Sequence, residues 1–342
     1  MPFRDCLSHH TSIASLQAAV SHQRLAHAYL FHGEEAIGKR LTALRLTQAL
    51  SCERPSDADR IDSCGACRSC RQIEAYTHPD FFVIEPDPEQ ATRQIKIEQI
   101  REIEHQIMYR PLVAERKICL IDDADRMTIG AANALLKTLE EPPEHSLFLV
   151  ISSRPAALPA TIRSRCQALR FLTPARTQVE AALILQRELS PADARFLAII
   201  SEGRLGEALT ADVNDTRTRQ REFLDLVRPQ SLQSIGSILT SAEAIAKADR
   251  AQDVFAWLAR WIRDLVLIQV EGDREQLLYV EDLKTLETYA RQADTEQLLD
   301  LLREIEMTEQ RVTRNLNLHM ALETILLRLR QALGLSSIGV PA

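Results

Sequence analysis

The sequence contains no long hydrophobic run. No uninterrupted apolar stretch approaches the roughly 20 residues that a membrane-spanning helix needs, and the N-terminal MPFRDCLSHH has no apolar segment typical of a signal peptide. A long Gly- or Ser-rich linker and an internal repeat are also missing. The 342 residues therefore predict a cytoplasmic globular protein of two or three domains.

The chain also has no excess of positive charge. The 41 lysines and arginines are outnumbered by 48 acidic residues, which gives a formal net charge of -7 at pH 7. This balance argues against a protein that binds nucleic acid through bulk positive charge, although a local basic face could still contact phosphate. Because the cytoplasm is reducing, the seven cysteines are not expected to form a disulfide framework.

Short apolar runs alternate with amphipathic stretches in the first half of the chain. Continuous apolar runs of this kind are typical of strands in a parallel sheet that is covered on both faces. The strand candidates are AYLFH (28–32), DFFVIE (80–85), KICLID (117–122), SLFLVIS (146–152) and ALRFL (168–172). In the helical stretch 129–141, apolar residues recur at helical spacing until Pro142-Pro143. These residues are Ile129, Ala132, Leu135, Leu136 and Leu139. The alternation predicts a βαβ architecture.

The pattern changes after about Phe171, where the strand signals end and the rest of the chain is helical. Segments near 176–187, 191–201 and 204–211 predict a small helical domain. Longer amphipathic stretches follow at 251–270 and 314–333, and we expect their Leu and Trp stripes to form a core. The predicted domains are therefore 1–172, 173–212 and 213–342.

Residues 33–40, GEEAIGKR, follow the first strand candidate and match most of a phosphate-binding loop, G-x-x-x-x-G-K-[ST]. Gly33, Gly38 and Lys39 are in register, but the last position is Arg40. In a working loop the hydroxyl at that position binds Mg²⁺, and an arginine has no lone pair to offer a metal. The loop can retain its shape, but its catalytic competence is in doubt.

Four cysteines are clustered as C-x₁₁-C-x₂-C-x₂-C in the segment 51–71, and Gly65 lies between two of them. They are Cys52, Cys64, Cys67 and Cys70. Two-residue spacers let thiolates converge on one tetrahedral ion, and four thiolates leave no position open for water, so the pattern predicts a structural zinc site. Unrelated or redox-active cysteines and an iron–sulfur cluster remain as alternatives. The other three cysteines, Cys6, Cys119 and Cys166, are expected to be small buried hydrophobes.

Two acidic residues, Asp122 and Asp123, follow the third strand candidate, where a nucleoside triphosphatase keeps the carboxylates that hold Mg²⁺ and position water. The alternative is a pair of solvated acids. Further along, Ser164-Arg165-Cys166 precedes the last strand candidate. Arg165 alone is compatible with an ordinary surface residue, but at the rim of the sheet its planar guanidinium is suited to reach a phosphate on another molecule.

In order along the chain, these motifs resemble the clamp-loader branch of the AAA+ proteins over residues 24–210. The segments are RLAHAYLFHGEEAIGKR, the cysteine insertion, CLIDDADRM, NALLKTLEEPPEHSLFLVIS, TIRSRC and EGRLGEAL. The resemblance implies a P-loop-type α/β domain with a parallel sheet, a small helical lid domain and an all-α collar domain. Three positions depart from the ATP-hydrolysing gamma/tau subunits of that branch: Arg40, Asp123 in place of Glu, and Gly206 in place of the sensor arginine.

These departures imply a subunit that hydrolyses no ATP itself. Together with the resemblance, the retained turn Ser164-Arg165-Cys166 implies that this subunit donates Arg165 to the ATP of a neighbour. Its degenerate nucleotide site would comprise Gly33, Gly38, Lys39, Asp122 and Asp123. Ser152 and Ser153 lie in the region of the first sensor motif. The implied partners are the gamma/tau and delta subunits, with the sliding clamp and primed DNA reached through the complex, and no membrane. An active gamma/tau-like ATPase and a plain DNA-binding protein with a zinc module are the other interpretations, and the acidic net charge counts against the last.

Overall fold

The computed structural model describes residues 3, 6, 8–54, 61–87, 93–246, 253–312 and 317–335. The chain divides into two compact units, residues 1–210 and residues 211–342. Each unit is described by itself.

The first unit is built on a five-stranded parallel sheet with strand order β2-β3-β4-β1-β5. The strands are β1 (Ala28–His32), β2 (Phe81–Ile84), β3 (Lys117–Ile121), β4 (Ser146–Ser152) and β5 (Gln167–Arg170). Leu30 lies opposite Val150 on one side and Ala168 on the other, which fixes the register of β1 between β4 and β5. All five predicted strands are confirmed. The last strand was predicted at 168–172, but β5 ends at Arg170. Beyond it, the N–H of Phe171 still donates to His32 O, at the end of β1, at 2.8 Å.

The side chains of β1 to β4 are divided between two hydrophobic cores, one on each face of the sheet. Tyr29 and Phe31 belong to one core, whereas Ala28 and Leu30 belong to the other. This alternation follows from the two-residue period of a strand. It explains why these four strands read as continuous apolar runs, because neither of their faces is left to solvent. The edge strand β5 is different, since three of its four residues are exposed. Cys6, Cys119 and Cys166 are buried, as predicted.

Nine helices accompany the sheet in the described part of the first unit. They are α1 (His10–Ser21), α2 (Lys39–Ser51), α3 (Arg68–Glu74), α4 (Ile97–Ile107), α5 (Ile129–Glu140), α6 (Ala160–Arg165), α7 (Arg176–Arg187), α8 (Pro191–Ile200) and α9 (Leu205–Thr210). In α5, the predicted apolar face is largely correct, since Ala132, Leu135 and Leu139 are buried. Ile129 is the exception: it is 84% exposed, because it is the first residue of α5 and precedes the part of the helix that packs on the sheet.

The second unit is entirely helical where it is described. It contains α10 (Val213–Leu226), α11 (Pro229–Leu232), α12 (Ile235–Ala246), α13 (Asp253–Gln269), α14 (Leu283–Gln292), α15 (Thr295–Val312) and α16 (Leu318–Ala332), with short 3₁₀ turns at Arg274–Gln276 and Val280–Asp282. Trp257 and Trp261 of α13 are buried, so the predicted core role of this stripe is confirmed. Parts of the predicted stretches, 251–252 and 314–316, lie outside the described residues. None of the helices described is long and apolar enough to span a bilayer.

A buried carboxylate fixes the connection between α4 and β3. Asp80, only 1% exposed, accepts three backbone N–H bonds, from Leu112, Val113 and Ala114, at 2.8, 2.7 and 2.9 Å. Burial alone would raise the pKa of Asp80, but the three N–H donors outweigh it, and its pKa lies below the ordinary 3.8. The ionised carboxylate is therefore part of the folded connection.

We expect Asp80→Asn to lower the free energy of unfolding by about 1–3 kcal/mol, because one amide oxygen cannot replace two acceptor oxygens and the amide NH₂ would face an N–H donor. Since the folded pKa is depressed, the stabilisation is present above pH 3.8 and is lost as the pH falls through the folded pKa. Hydrogen exchange of residues 112–114 and acid unfolding would measure both effects. Glu115→Gln, the same loss of charge at a neighbouring exposed position, is the matched control. Unchanged exchange in Asp80→Asn would contradict the assignment.

Candidate functional site

The predicted phosphate-binding loop lies between β1 and α2, and two of its glycines adopt a positive φ. Gly33 adopts φ +146°, and a Cβ there would lie 2.3 Å from the carbonyl oxygen of Phe171. Gly38 adopts φ +105° immediately before α2 begins at Lys39. Both positions require glycine because their φ is positive. Gly33 is also required because a side chain would collide with Phe171 O.

The lysine of this loop is turned back onto the loop itself. Lys39 Nζ donates to Gly33 O at 2.7 Å and also to Glu34 O. The residue is only 6% exposed, and burial lowers the pKa of its ammonium group. The amine that would bind phosphate in a working loop is thus engaged with the carbonyls of the loop.

Arg40 extends from the first turn of α2 to the carboxyl ends of two neighbouring strands. Its Nη1 donates to Glu85 Oε2, after β2, at 2.5 Å and to Asp122 Oδ2, after β3, at 3.0 Å. Its guanidinium also lies 5.3 Å from the ring centre of Tyr76. Burial alone would lower the pKa of Arg40. The surrounding groups outweigh burial and raise the pKa above its ordinary value, and the hydrogen bond to Glu85 makes the largest contribution to this increase. A permanent cation therefore neutralises the acidic strand ends.

The two acids after β3 differ in their surroundings. Asp122 Oδ1 accepts the backbone N–H of Asp123 at 3.0 Å, while its other oxygen pairs with Arg40. Asp123 adopts a left-handed backbone, φ 46°, and its carboxylate lies 3.4 Å from Arg126 Nε. Burial, followed by the charge of Asp122, raises the pKa of Asp123. Each carboxylate is thus close to an arginine of the chain.

These groups surround a cleft of about 500 Å³. Its lining residues are Glu35, Ala36, Gly38, Lys39, Arg40, Leu41, Leu44, Glu74, Tyr76, Asp122, Asp123, Ile151, Ser153 and Gly206. The lining contains four carboxylates and two cations. A cleft with this formal charge of -2 repels a polyphosphate unless further cations accompany it.

The two predicted sensor regions both contribute a residue to the lining of the cleft. Ser153 lines the cleft, whereas the buried Ser152 turns away and donates from Oγ to Asp125 Oδ1 at 2.8 Å. Gly206, in the first turn of α9, donates its N–H to Ala36 O of the loop at 2.8 Å. A Cβ at Gly206 would lie 3.1 Å from the same oxygen, so the helix approaches the loop closely.

Sequence reasoning missed three residues of this site. His9 Nε2 lies 2.6 Å from Ile37 O of the loop, and burial lowers the pKa of the imidazole. Glu85 and Tyr76 contact Arg40 from segments that carry no recognised motif. Glu85 is the last residue of a strand candidate, and this position at a carboxyl edge was the only available signal.

Arg165 is located apart from these groups. It is the last residue of α6 and is not among the residues that line the cleft. Its Nη1 donates to Thr161 O at 3.1 Å, and its Nη2 lies 2.7 Å from Glu140 Oε1 of α5. The guanidinium remains 35% exposed.

The four clustered cysteines converge at one point. The sulfur atoms of Cys52, Cys64, Cys67 and Cys70 all lie within 4.8 Å of one another. Tetrahedral zinc–thiolate geometry, with bonds of ~2.3 Å, needs sulfur separations of about 3.8 Å, and the Cys52 and Cys67 sulfurs are 4.0 Å apart. Gly65 adopts φ +69°, as the predicted tight turn requires. The arrangement is compatible with a structural metal site.

Backbone N–H groups also point at the sulfurs. The N–H of Cys64 points at Cys52 Sγ and that of Cys67 at Cys64 Sγ, both at 3.3 Å, and the N–H of Cys70 points at Cys67 Sγ at 3.4 Å. A hydrogen bond from the backbone N–H of Ala66 is the main cause that lowers the pKa of Cys64 to about 6, while burial raises that of Cys70. Four thiolates this close repel one another, and a bound cation removes that repulsion.

A buried polar network joins this cluster to the helix of the phosphate-binding loop. Arg45 of α2, only 2% exposed, pairs with Glu74 of α3 and donates to Gln48 Oε1 at 2.8 Å. Gln48 Nε2 in turn donates to Cys70 O and to Glu74, both at 2.9 Å. Because Arg45 and Gln48 are buried and bonded to Glu74 and Cys70 O, these contacts fix α3 against α2, although Glu74 itself is half exposed. The cysteine cluster is thereby held beside one wall of the cleft, where Glu74 and Tyr76 lie.

Two family models match the chain, one described as DNA polymerase III, delta subunit, over residues 8–175, and one as its C-terminal part over residues 218–331. DNA polymerase III subunit delta' of Pseudomonas aeruginosa is 31% identical over 316 residues, which cover 89% of this chain and 91% of that protein. The chain belongs to the delta prime subunits of DNA polymerase III. The family assigned from the sequence motifs is thereby confirmed.

Relatives of this delta prime chain extend to other subunits of the polymerase. DNA polymerase III subunit tau of Escherichia coli is 35% identical over 213 residues, which cover 61% of this chain and 32% of that protein. Among solved structures, a gamma subunit-related protein of Thermotoga maritima is 21% identical, with a TM-score of 0.43, and the match covers 94% of this chain and 99% of that one. The match to tau thus involves only about a third of that longer protein.

Proposed function

We propose that this chain is a non-hydrolysing subunit of a cytoplasmic clamp loader that assembles with gamma/tau and delta subunits. Through that complex it would help to load the sliding clamp onto primed DNA. The observation that carries the proposal is Arg40, whose guanidinium bonds to Asp122 where a nucleoside triphosphatase keeps Mg²⁺. The domains would be an AAA+ domain (1–172), a lid (173–212) and a collar (213–342) that holds the ring together.

Three further features support the absence of hydrolysis. Lys39 is engaged with loop carbonyls, and Asp123 is one methylene shorter than the usual Glu and lies near Arg126. The shorter side chain would reach about 1.5 Å less far toward an attacking water, and such alignment errors are costly in rate. Gly206 supplies no guanidinium at the second sensor position. Gly33, Gly38, Lys39, Asp122 and Asp123 are then a degenerate nucleotide site.

The alternative is an active gamma/tau-like ATPase. It is favoured by the preserved loop glycines and Lys39 and by the 35% identity to a tau subunit over 213 residues. Under this alternative, Arg40 would swing away from Asp122 when Mg²⁺ and ATP enter. We give it less weight because the guanidinium is bonded to two carboxylates that belong to two strand ends.

We expect the purified chain to release no phosphate from ATP above background, with or without Mg²⁺ and primed DNA. Arg40→Thr should tighten nucleotide binding, because it removes the cation from the metal position and restores a hydroxyl, yet it should not restore turnover while Asp123 and Gly206 remain. Fluorescent-nucleotide titration and steady-state phosphate release measure the two effects. Arg154→Thr, which removes an arginine paired with Asp125 outside the cleft, is the control. Magnesium-dependent turnover that Lys39→Ala abolishes would establish the ATPase alternative instead.

We also propose that Arg165 acts in trans on the ATP of a neighbouring subunit. Its guanidinium is partly exposed and lies outside the cleft of its own chain, so it is suited to a phosphate on another molecule. An arginine supplied in this way stabilises charge on the transferring phosphoryl group and is worth roughly 10³–10⁵ in rate at the site concerned. The residue would be catalytic for its neighbour only.

In a reconstituted complex, Arg165→Ala should silence mainly the adjacent ATPase site. We expect a modest fall in total DNA-stimulated ATP hydrolysis and a larger fall in clamp loading, which needs several sites to act together. Arg165→Lys should resemble Ala, since an ammonium group cannot reproduce the bidentate fork of a guanidinium. Arg163→Ala, an exposed arginine on the same short helix, is the matched control. Gel filtration verifies assembly, and wild-type rates in both assays would refute the role in trans.

The cysteine cluster, we propose, binds one structural Zn²⁺ through Cys52, Cys64, Cys67 and Cys70. A closed set of four sulfur ligands suits zinc and offers no position for a reactive water. The ion would hold together the end of α2, the segment before α3 and α3 itself. Redox-active cysteines and an iron–sulfur cluster remain the alternatives.

Metal analysis of the purified chain should find one zinc per molecule, and Cys64→Ser and Cys70→Ser should lose it. Structural zinc can supply roughly 10 kcal/mol of apparent binding free energy, so chelation should increase hydrogen exchange first around Cys64–Glu74 and leave the sheet protected. Cys119→Ala, in the core of the sheet, should retain the metal. Bound iron with visible absorbance, or a fully folded protein without metal, would rule out zinc.

A further inference from the structure

The guanidinium of Arg165 is held in place by groups of its own chain. Its two terminal nitrogens have different partners: Nη1 donates to Thr161 O, one turn earlier in α6, at 3.1 Å, and Nη2 forms a salt bridge with Glu140 Oε1, at the end of α5, at 2.7 Å. A guanidinium has five N–H groups, so these two contacts leave three for another ligand. The contacts restrict the side chain without using up its capacity to bind phosphate.

Both helices that carry this pair are anchored in one core. In α5, Leu139 directly precedes Glu140 and is 2% exposed. In and after α6, Ile162 and Cys166, which lie before and after Arg165 in the sequence, are 0% and 8% exposed. All three belong to the same hydrophobic cluster on one face of the sheet. The carboxylate of Glu140 is thus carried on a rigid support close to Arg165.

Stability does not explain a glutamate at this position. Glu140 is the last residue of α5, where the helix dipole disfavours a negative charge. Its side chain is 51% exposed and that of Arg165 is 35% exposed, so solvent screens the ion pair and its contribution to folding is small. The pair is better explained by the orientation that it imposes on the guanidinium.

We propose that Glu140 is a positioning residue that orients Arg165 toward the phosphate of a neighbouring subunit. The inference rests on the proposed role of Arg165 in trans. A long arginine side chain has many rotamers, and a side chain already restrained loses less conformational entropy when it meets the transferring phosphoryl group. Glu140 therefore acts through Arg165 and contacts no reacting atom itself.

The test uses the reconstituted complex with gamma/tau and delta subunits, ATP, the sliding clamp and primed DNA. Glu140→Ala should lower the clamp-loading rate about 3- to 30-fold with the KM for ATP unchanged, because only the orientation of a group that acts in the transition state is lost. Glu140→Gln retains an oxygen acceptor and should keep most of the rate. Glu141→Ala and Glu141→Gln, at the next and exposed residue, are the matched controls and should behave as wild type.

A double-mutant cycle separates positioning from a structural role. In an Arg165→Ala background, Glu140→Ala should cause no further loss, since a residue that acts through Arg165 has nothing left to orient. Guanidinium NMR of the isolated chain provides an independent measurement: the Arg165 signals of Glu140→Ala should show faster rotation than those of wild type. This measurement does not require the variant to assemble.

Each outcome has a defined meaning. Wild-type activity of Arg165→Ala would overturn both the role in trans and the positioning role. A defective Arg165→Ala with a wild-type Glu140→Ala would overturn the positioning role alone. So would an equal loss from Glu140→Ala in both backgrounds, or unchanged Arg165 signals in the NMR spectrum of Glu140→Ala.

Discussion

The first unit is organised around a cation that is covalently part of the chain. Arg40 extends from the start of α2 and bonds to carboxylates that follow β2 and β3, so one guanidinium ties a helix to two strands. A metal ion bound at this place could leave, and its departure would expose two carboxylates to mutual repulsion. An arginine cannot leave. The two strand ends therefore have a counterion that the chain itself supplies.

The position of Arg40 also affects the side chains that surround the cleft. Tyr76 packs on the guanidinium, and Glu74, nearby in the chain, belongs to the buried network that reaches Cys70. On the opposite side of the cleft, Gly206 bonds to the loop through Ala36. The loop, the cysteine cluster and α9 are thus connected through a few polar contacts. Such connections favour a rigid subunit with a fixed cleft.

Much of the fold was predictable because its signals are local. The strands β1 and β4 have the predicted bounds, and the four cysteines converge as their spacing indicated. The missed features depend on contacts between distant segments: Glu85 and Tyr76 are 45 and 36 positions from Arg40 and carry no motif. Ile129 shows a second limit, because helical spacing identifies a face of a helix but not how far along its length that face is covered.

The division of β1 to β4 between two cores has a consequence for how this chain can change in length. Inserting one residue into β1 would move Tyr29 and Phe31 to the face that now holds Ala28 and Leu30, and large side chains would exchange places with small ones in both cores. The same insertion would shift the glycine whose missing side chain allows the loop to approach Phe171 O. Homologous sequences should therefore differ in length within the connections between elements, while these four strands keep a constant number of residues.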